Sequence, residues 1–365
     1  METLRVGIIG VNAARGWARE AHVPAIAATE GLELSAVATR SQTSADAAGA
    51  AFGVAAAYGD PLELIRDPDV DIVTVASSVS AHEPLIHAAL QHGKHVVTEW
   101  PVAVGTAAMT TIAGAVAVAG VRSAVGLQAR RDPAVLRAAQ LLADHAVGRV
   151  LVVRVSSTTA GFGPTVDESA APLEDPDAGM HLLTIQAAHT LDVVAALLGS
   201  PVEVSALHTV RFPELRSTTG SVVPRTLPDH VAVLGRFSDG AALVAEVVGG
   251  RGPDDTPFRL TIEGSTGVLE LVGGAPRGFQ AGVLELFVDG QRQPIDTPAL
   301  PDSVVNVAGV YRALRADVRD GTSTAPSFVD AVRLAHLVDD LRRSDDTRAS
   351  VTADQEWPRA LRRIG

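Results

Sequence analysis

The chain has 365 residues, no cysteine, and 42 acidic against 30 basic side chains, a formal charge of -12. That length suggests two domains or one long elaborated one, and buries enough surface to fold without disulfide or metal staples. The missing cysteine excludes disulfides, zinc–thiolate and iron–sulfur sites and a thiol nucleophile, and the acidic balance argues against a nucleic-acid surface.

RVGIIGV (5–11) is a continuous apolar, β-branched run, the pattern of a strand buried on both faces, and helix-compatible sequence follows to about residue 28. LELSAVAT (32–39) is a second strand, and SADAAGAAFG (44–53) a helix closed by Gly53. DIVTVAS (71–77) is a third strand, followed by HEPLIHAALQHG (82–93), again closed by glycine. HVVTEW (95–100) and SAVGLQ (123–128) bracket VAVGTAAMTTIAGAVAVAGV (102–121), which is uncharged over a length that could span a bilayer. With one Ile and no Leu or Phe its insertion would be poor, and Pro101 opens it as a helix-start residue would. A buried Ala-rich helix is expected there, and no membrane span. METLRVGIIG begins as a strand and not as a signal peptide, so a cytoplasmic location is expected.

From about residue 149 the texture changes. RVLVVRVSST, VEVSALHTVRF, HVAVLGRFS, AALVAEVVGG, FRLTIEGSTGVLELVG and VLELFVDGQRQPI are strand-like runs with tight turns, which predict an antiparallel sheet. One long helix, about 178–198, interrupts them. The tail PSFVDAVRLAHLVDDLRRS places Ala331, Leu334, Val338 and Leu341 at helical spacing, and Ser327 with Asp330 forms a capping-box pair at its start.

GIIGVNAARG (7–16) lies between the first strand and the first helix, where small residues let backbone N–H groups and a helix N-terminus approach a pyrophosphate. Gly10 fits the tight turn. Asn12 replaces the second glycine, as a residue that visits left-handed conformations readily. The third glycine is missing at its usual spacing, with Arg15 there and Gly16 one step later; Ala13 and Trp17 complete the loop. An ordinary βα turn is the alternative. The second strand ends in Thr39-Arg40-Ser41, without the carboxylate that NAD-preferring folds place on the ribose hydroxyls. Arg40 can pair with a 2′-phosphate through its planar fork, and Thr39 or Ser41 can donate hydrogen bonds. NADP is therefore favoured, with NAD still open and a solvated surface arginine as the bland reading.

The order of these motifs resembles the glucose–fructose oxidoreductase / inositol dehydrogenase / rhizopine-catabolism (Gfo/Idh/MocA) family over nearly the whole chain. The resemblance rests on RVGIIG, AHVPAI (21–26), DIVTVASSVSAH (71–82), GKHVVTEWP (93–101), AAHTLDVVAALLG (187–199) and PSFVDAVRLAHLVDDL (326–341). It implies an α/β Rossmann dinucleotide-binding domain over 1–125 and an α+β domain with a large, open, mostly antiparallel sheet over 126–325. A C-terminal helix and tail over 326–365 would pack back on the body. It also implies hydride transfer between a nicotinamide cofactor and a sugar, polyol or related carbinol, in a homodimer or homotetramer.

The departures from that pattern narrow the chemistry. The family ends its fifth strand with Glu-Lys-Pro, the lysine reaching the reacting carbinol; here the triplet is Glu99-Trp100-Pro101, and an indole N–H cannot act as a base. The Asp that the family carries four residues before its active-site His is replaced by Ile185, with Thr184 beside it, so His189 is the remaining catalytic candidate. GVNAARGWA, TEWPVA, GLQAR (126–130), AHTLD and TLPDH (226–230) further resemble the galactose-regulon repressor branch, whose members can bind the dinucleotide as sensors without evident turnover.

The resemblance assigns cofactor contacts to Ser77, Ser78 and His82, and to Glu99 and Trp100 around the nicotinamide. Gln128 and Arg130 end the sixth strand, at the carboxyl edge where parallel sheets bind ligands. Gln128 is assigned to the cofactor, and Arg130, His181 and Asp192 to the substrate, Asp192 also being one turn from His189. Asp229 and His230 lie in a loop near the same pocket, or simply cap a strand. No metal site is expected, since His181 and His189 are eight residues apart on one helix. PTVDESAAPLEDPDA (164–178), acidic without EF-hand spacing, is expected to be a solvated loop over the active-site mouth. Two functions stay open: an NAD(P)-dependent oxidoreductase, and a non-catalytic NADP-binding sensor that acts through a protein partner.

Overall fold

LRVGII makes the central strand β1 (Leu4–Ile9) because β-branched residues on both of its faces can be buried at once. A computed structural model describes residues 3–167, 174–175, 178–252 and 257–353 of the chain. After β1 a π-helical turn (Ala18–His22) runs into α1 (Val23–Ala27). There follow β2 (Leu32–Ala38), α2 (Gln42–Phe52), β3 (Ala56–Tyr58), α3 (Pro61–Arg66), β4 (Ile72–Val75) and α4 (Val79–Gln91). β5 (His95–Thr98), α5 (Thr106–Val118) and β6 (Ser123–Val125) complete the set. All six strands are parallel, in the order β3-β2-β1-β4-β5-β6, the doubly wound Rossmann arrangement. Ile8, Ile72 and Val73 are fully buried at its centre, each removing enough apolar surface to stabilise the fold by about 1.5–3 kcal/mol. Local chemistry sets the helix ends: Ser41 caps α2 by accepting from the Ser44 amide, and Gly53 closes it in the left-handed region at φ 71°.

The chain continues with α6 (Pro133–Ala143), β7 (Val150–Thr158), β8 (Thr165–Val166), a second π-helical turn (Leu183–Ala187), α7 (Ala188–Leu198) and β9 (Glu203–Thr209). β10 (Glu214–Ser217) and β11 (Val222–Pro224) join β8 in a small three-stranded sheet. β12 (His230–Arg236), β13 (Ala242–Val248), β14 (Phe258–Gly264), β15 (Val268–Gly273), β16 (Leu284–Val288) and β17 (Gln291–Arg292) come next. The chain then forms α8 (Asp302–Asp320), α9 (Phe328–Thr347) and β18 (Val351–Thr352). The large sheet has nine strands in the order β17-β16-β15-β14-β7-β13-β12-β9-β18, antiparallel except where β13 runs parallel to β7. One face is aliphatic, with Val153, Val155, Leu243, Ala245, Leu260, Ile262 and Leu271 all buried.

Contacts divide the chain into two units that are not consecutive: Met1–Gln128 with Ser303–Val332, and Ala129–Asp302 with Arg333–Gly365. The expected division at 125 and 325 differs from this because α8, a helix the sequence patterning does not single out, belongs with the first unit. Three further differences have local causes. Within the Ala-rich segment the helix α5 buries only Met109 and Ile112, and Val118 is 86% exposed. Short side chains offer little area to a core, so the helix lies on the surface. Pro101 does not start it, and instead follows Trp100 through a cis peptide bond. The helix expected over 178–198 begins only at Leu183, in a π-helical turn. Residues 168–173 and 176–177 of the expected acidic loop, and 354–365 of the tail, lie outside the described residues. Among the described residues no helix is long and apolar enough to cross a membrane. The capping box holds: the Asp330 carboxylate accepts from the Ser327 amide and hydroxyl at 2.8 and 2.7 Å, and the Asp330 amide donates back to Ser327 Oγ.

Gly10 sits at φ 96°, and a Cβ there would lie 2.7 Å from the Ala76 carbonyl oxygen and 2.8 Å from Ser77 Cα. Gly10→Ala should therefore lower the unfolding free energy by about 2–4 kcal/mol in a urea titration. A loss below about 1 kcal/mol would show that the β1 and β4 ends can part freely.

Candidate functional site

The carboxyl ends of β1 and β4 mark the point where strand order reverses, the place where open α/β sheets bind ligands. Gly10 lets the two ends meet there. Asn12 does not adopt positive φ, contrary to expectation. Its Oδ1 instead accepts from the Ala14 and Arg15 amides at 2.8 and 3.2 Å, an Asx turn that shapes the loop. The amides of Asn12 and Ala13 themselves have no partner among the described residues. Gly16 has φ 97° and open space around its Cα, so it is needed for backbone conformation and not for room. Arg19 donates to the Ala13 carbonyl at 2.8 Å, Arg15 is exposed, and Trp17 is half-buried where the first helix begins.

At the end of β2, Thr39 donates to the Ser41 carbonyl at 3.0 Å and meets Ser44 Oγ, while Ser41 is spent on the α2 cap. Their hydroxyls serve the turn. Arg40 is exposed and has no ion-pair partner among the described residues, so its guanidinium is the available cation at this edge.

Past β4, Ser77 Oγ is buried without a hydrogen-bond partner among the described residues, and Ser78 occupies the exposed N-cap of α4. His82 is buried with Nδ1 3.1 Å from the Pro101 carbonyl and Nε2 3.1 Å from the Ser77 carbonyl. Burial holds its pKa below the usual imidazole value, and a neutral ring has one N–H to share between two carbonyls. A neutral His82 therefore donates to one of these two carbonyls and is packed between the segments after β4 and β5.

Sequence reasoning missed the most connected part of this edge. Glu99, which follows β5, accepts from His22 Nε2 at 2.7 Å. His22 Nδ1 lies 2.8 Å from the Tyr311 hydroxyl, which lies 2.9 Å from Thr74 Oγ1. His22, Tyr311 and Thr74 are buried, whereas the Glu99 side chain keeps 22% exposure. Burial raises the Tyr311 pKa far above the ordinary phenol value, so it remains a donor. These four groups line or adjoin a small pocket bounded also by Val97, Gly126, Gln128, Val307 and Val310. Gln128 Oε1 is buried there without a partner among the described residues, and a Cβ on Gly126 would come within 2.8 Å of Glu99 Oε1. Trp100 is buried beside it in sequence. The missed signal was a tyrosine on α8, 212 positions downstream of Glu99.

The other candidates belong to the second unit. His189 is 5% exposed on α7. Asp192, expected to support it or to bind substrate, pairs with Arg130: Nε lies 2.9 and 3.0 Å from the two carboxylate oxygens and Nη2 2.6 Å from Oδ1. Both residues are buried, and their charges offset each other. His181 Nε2 accepts from Arg342 at 3.1 Å, and burial followed by the Arg342 charge lowers its pKa to about 4. Asp229 is fully buried, accepting from Arg211 and Arg225 and from the Phe212 amide, a structural cluster. His230 pairs with Glu246 at the start of β12. Among the described residues no group of His, Asp and Glu could hold a metal ion.

Residues 4–127 match a family model described as an oxidoreductase family with an NAD-binding Rossmann fold, and residues 133–273 match the Gal80p C-terminal domain. A dehydrogenase, aclE, of Aspergillus oryzae is 29% identical over 283 residues, 74% of this chain and 77% of that protein. The galactose/lactose metabolism regulatory protein GAL80 of Saccharomyces cerevisiae is 26% identical over 310 residues, 79% of this chain and 71% of that protein. A super-repressor mutant of Gal80p from Saccharomyces cerevisiae superposes with TM-score 0.86 at 21% identity, covering 96% of this chain and 98% of that one. Levoglucosan dehydrogenase in complex with NADH and L-sorbose superposes with TM-score 0.81 at 22% identity, covering 97% and 100%. At those identities the two structures share the fold.

Two outcomes follow from the buried charges. Asp192→Ala should cost about 3–5 kcal/mol by stranding Arg130, while Arg130→Met with Asp192→Leu should recover most of it; a double-mutant cycle by urea denaturation checks this. His181 protonates near pH 4 in the folded chain but near 6.5 when unfolded. Its neutral-form stability is whole above pH 6.5 and is lost as pH falls to 4. Wild type should lose up to about 3 kcal/mol more than His181→Gln across that window, and identical pH profiles would refute the assignment.

Proposed function

We propose that this chain, which belongs to the Gfo/Idh/MocA oxidoreductase family and carries a Gal80p-type second domain, is an NAD(P)-dependent oxidoreductase moving hydride to or from a sugar, polyol or related carbinol. The observation that carries the reading is the carboxyl edge of the parallel sheet. There Gly10 lets the ends of β1 and β4 approach closely, the Asn12 and Ala13 amides have no partner among the described residues, and Ser77 Oγ is a buried polar atom without one. These groups fit a dinucleotide. The loop from Gly10 to Trp17 would hold its pyrophosphate, with Ser77, Ser78 and Gln128 beside it and Glu99 and Trp100 at its nicotinamide end. Arg40 would take a 2′-phosphate, which makes NADP the preferred cofactor over NAD. When bound, the nicotinamide supplies the hydride acceptor or donor.

His189 is the proposed proton carrier. Its imidazole is the one surviving member of the family's acid–base set that can take a carbinol proton near neutral pH, because Trp100 stands in the lysine position. His181 assists in substrate binding as a neutral ring, while Arg130 and Asp192 act by holding α7. Homodimers or homotetramers would form through the exposed face of the nine-stranded sheet, where Leu234 and Val244 lie opposite each other and Leu207 is also exposed. A cytoplasmic location suits both the cofactor and the acidic surface.

A second reading is a dinucleotide sensor that has lost turnover and works through a protein partner. It is favoured by Trp100 and by the likeness to a regulatory protein over most of both chains.

Following nicotinamide absorbance across a panel of polyols and aldoses decides between them. The oxidoreductase reading expects turnover with at least one substrate and a loss of roughly 100-fold or more in kcat for His189→Ala. Micromolar NADP binding with silence across the panel would establish the sensor instead. Arg40→Ala should weaken NADP by about 10- to 100-fold and leave NAD unchanged in an equilibrium titration. Equal losses for both would remove the 2′-phosphate assignment.

A further inference from the structure

The chain Thr74–Tyr311–His22–Glu99 admits one self-consistent arrangement of protons. The Glu99 carboxylate only accepts, so His22 carries a proton on Nε2. If the ring is neutral, Nδ1 accepts from the Tyr311 hydroxyl, and the Tyr311 oxygen accepts from Thr74. Every hydrogen then has an acceptor. If the ring were an imidazolium, Nδ1–H would donate to Tyr311, Tyr311 to Thr74, and the fully buried Thr74 hydroxyl would have no acceptor among the described residues. A buried unmet hydroxyl is costly, so the neutral Nε2–H tautomer is selected.

With His22 neutral, nothing in the relay cancels the Glu99 charge. His82, the other titratable group that acts on Glu99, is kept neutral by burial, and Tyr311 stays protonated. His22 engages Oε1, Oε2 has no partner among the described residues, and Gly126 supplies the space the carboxylate occupies. Among the described residues no Lys or Arg pairs with Glu99, so a negative charge stands at the carboxyl edge of β5. Oxidised nicotinamide carries one positive charge on its ring and reduced nicotinamide carries none.

The geometry points to Glu99, held by His22, Tyr311 and Thr74, as a charge that makes the dinucleotide site distinguish the oxidised from the reduced cofactor, binding the oxidised form more tightly. This rests on the dinucleotide site proposed above, and it holds for an enzyme and for a sensor alike. In the enzyme it biases the bound equilibrium toward carbinol formation by stabilising the oxidised cofactor. In the sensor it would make occupancy follow the redox state of the cofactor pool. Glu99 acts on the cofactor, and His22 and Tyr311 are positioning residues.

Two measurements test it. In the dinucleotide-free protein, nitrogen-15 spectra of the histidine rings should show His22 as the neutral Nε2–H tautomer, and Tyr311→Phe should release that preference. An imidazolium or an Nδ1–H tautomer for His22 would overturn the relay. Equilibrium titrations with NADP and NADPH should give a preference for the oxidised form that falls by about 10- to 100-fold in Glu99→Gln, with the change carried by the oxidised form. Glu99→Asp should restore part of it. If Glu99→Gln binds both forms with the wild-type ratio, the charge does not act on the cofactor and the inference fails. If the wild type binds neither form, the dinucleotide site itself is wrong, and a thermal unfolding scan of each variant separates both outcomes from misfolding.

Discussion

The close approach of β1 and β4 at Gly10 is the constraint on which the rest of the dinucleotide unit depends. With a Cβ at that position the Ala76 carbonyl and Ser77 Cα would have to move, and the carboxyl edge would open. Because residue 10 is glycine, the loop that follows can fold over the sheet end, tied by the Asn12 Asx turn and by Arg19. His82 is buried between the neighbouring segments, within 3.1 Å of the Ser77 and Pro101 carbonyls, and donates to one of them. Local backbone freedom at one residue is thus converted into a shaped, polar rim.

The same rim is tied to a distant part of the chain. α8 returns from residue 302 to place Tyr311 between Thr74 of β4 and His22 of the first helix, and that contact determines how His22 presents its proton to Glu99. Three elements and a return segment therefore converge on one carboxylate. In the second unit a different economy operates: Arg130 and Asp192 neutralise each other, and Asp229 is saturated by two arginines and two amides. Those pairs lock α7 and the β12 start.

Much of the first unit was legible because its signals are local. The buried run of β1, the Gly53 cap of α2 and the Ser327–Asp330 capping box each depend on residues a few positions apart, and each formed as expected. The parallel pairing of the strands followed from their alternation with helices. What was not legible depends on distance in the sequence or on competition between partners. The Arg130–Asp192 pair was not legible because its two members lie 62 positions apart. Thr39 and Ser41 read as cofactor ligands, and in the fold they also hydrogen-bond within the turn that starts α2. The apolar α5 looked buried because its composition says nothing about how little surface alanines can contribute. Tyr311 carried no motif at all, and α8 passed unnoticed, so the relay to Glu99 emerged only once the strands and helices were assembled.

The central claim is that the carboxyl edge built around Gly10 is a nicotinamide dinucleotide site. A crystal structure of the chain grown with NADP tests it most directly. The pyrophosphate should lie against the Asn12 and Ala13 amides, the 2′-phosphate on Arg40 and the nicotinamide beside Glu99. A dinucleotide bound elsewhere, or reversed so that its adenosine lies against Glu99, would contradict it.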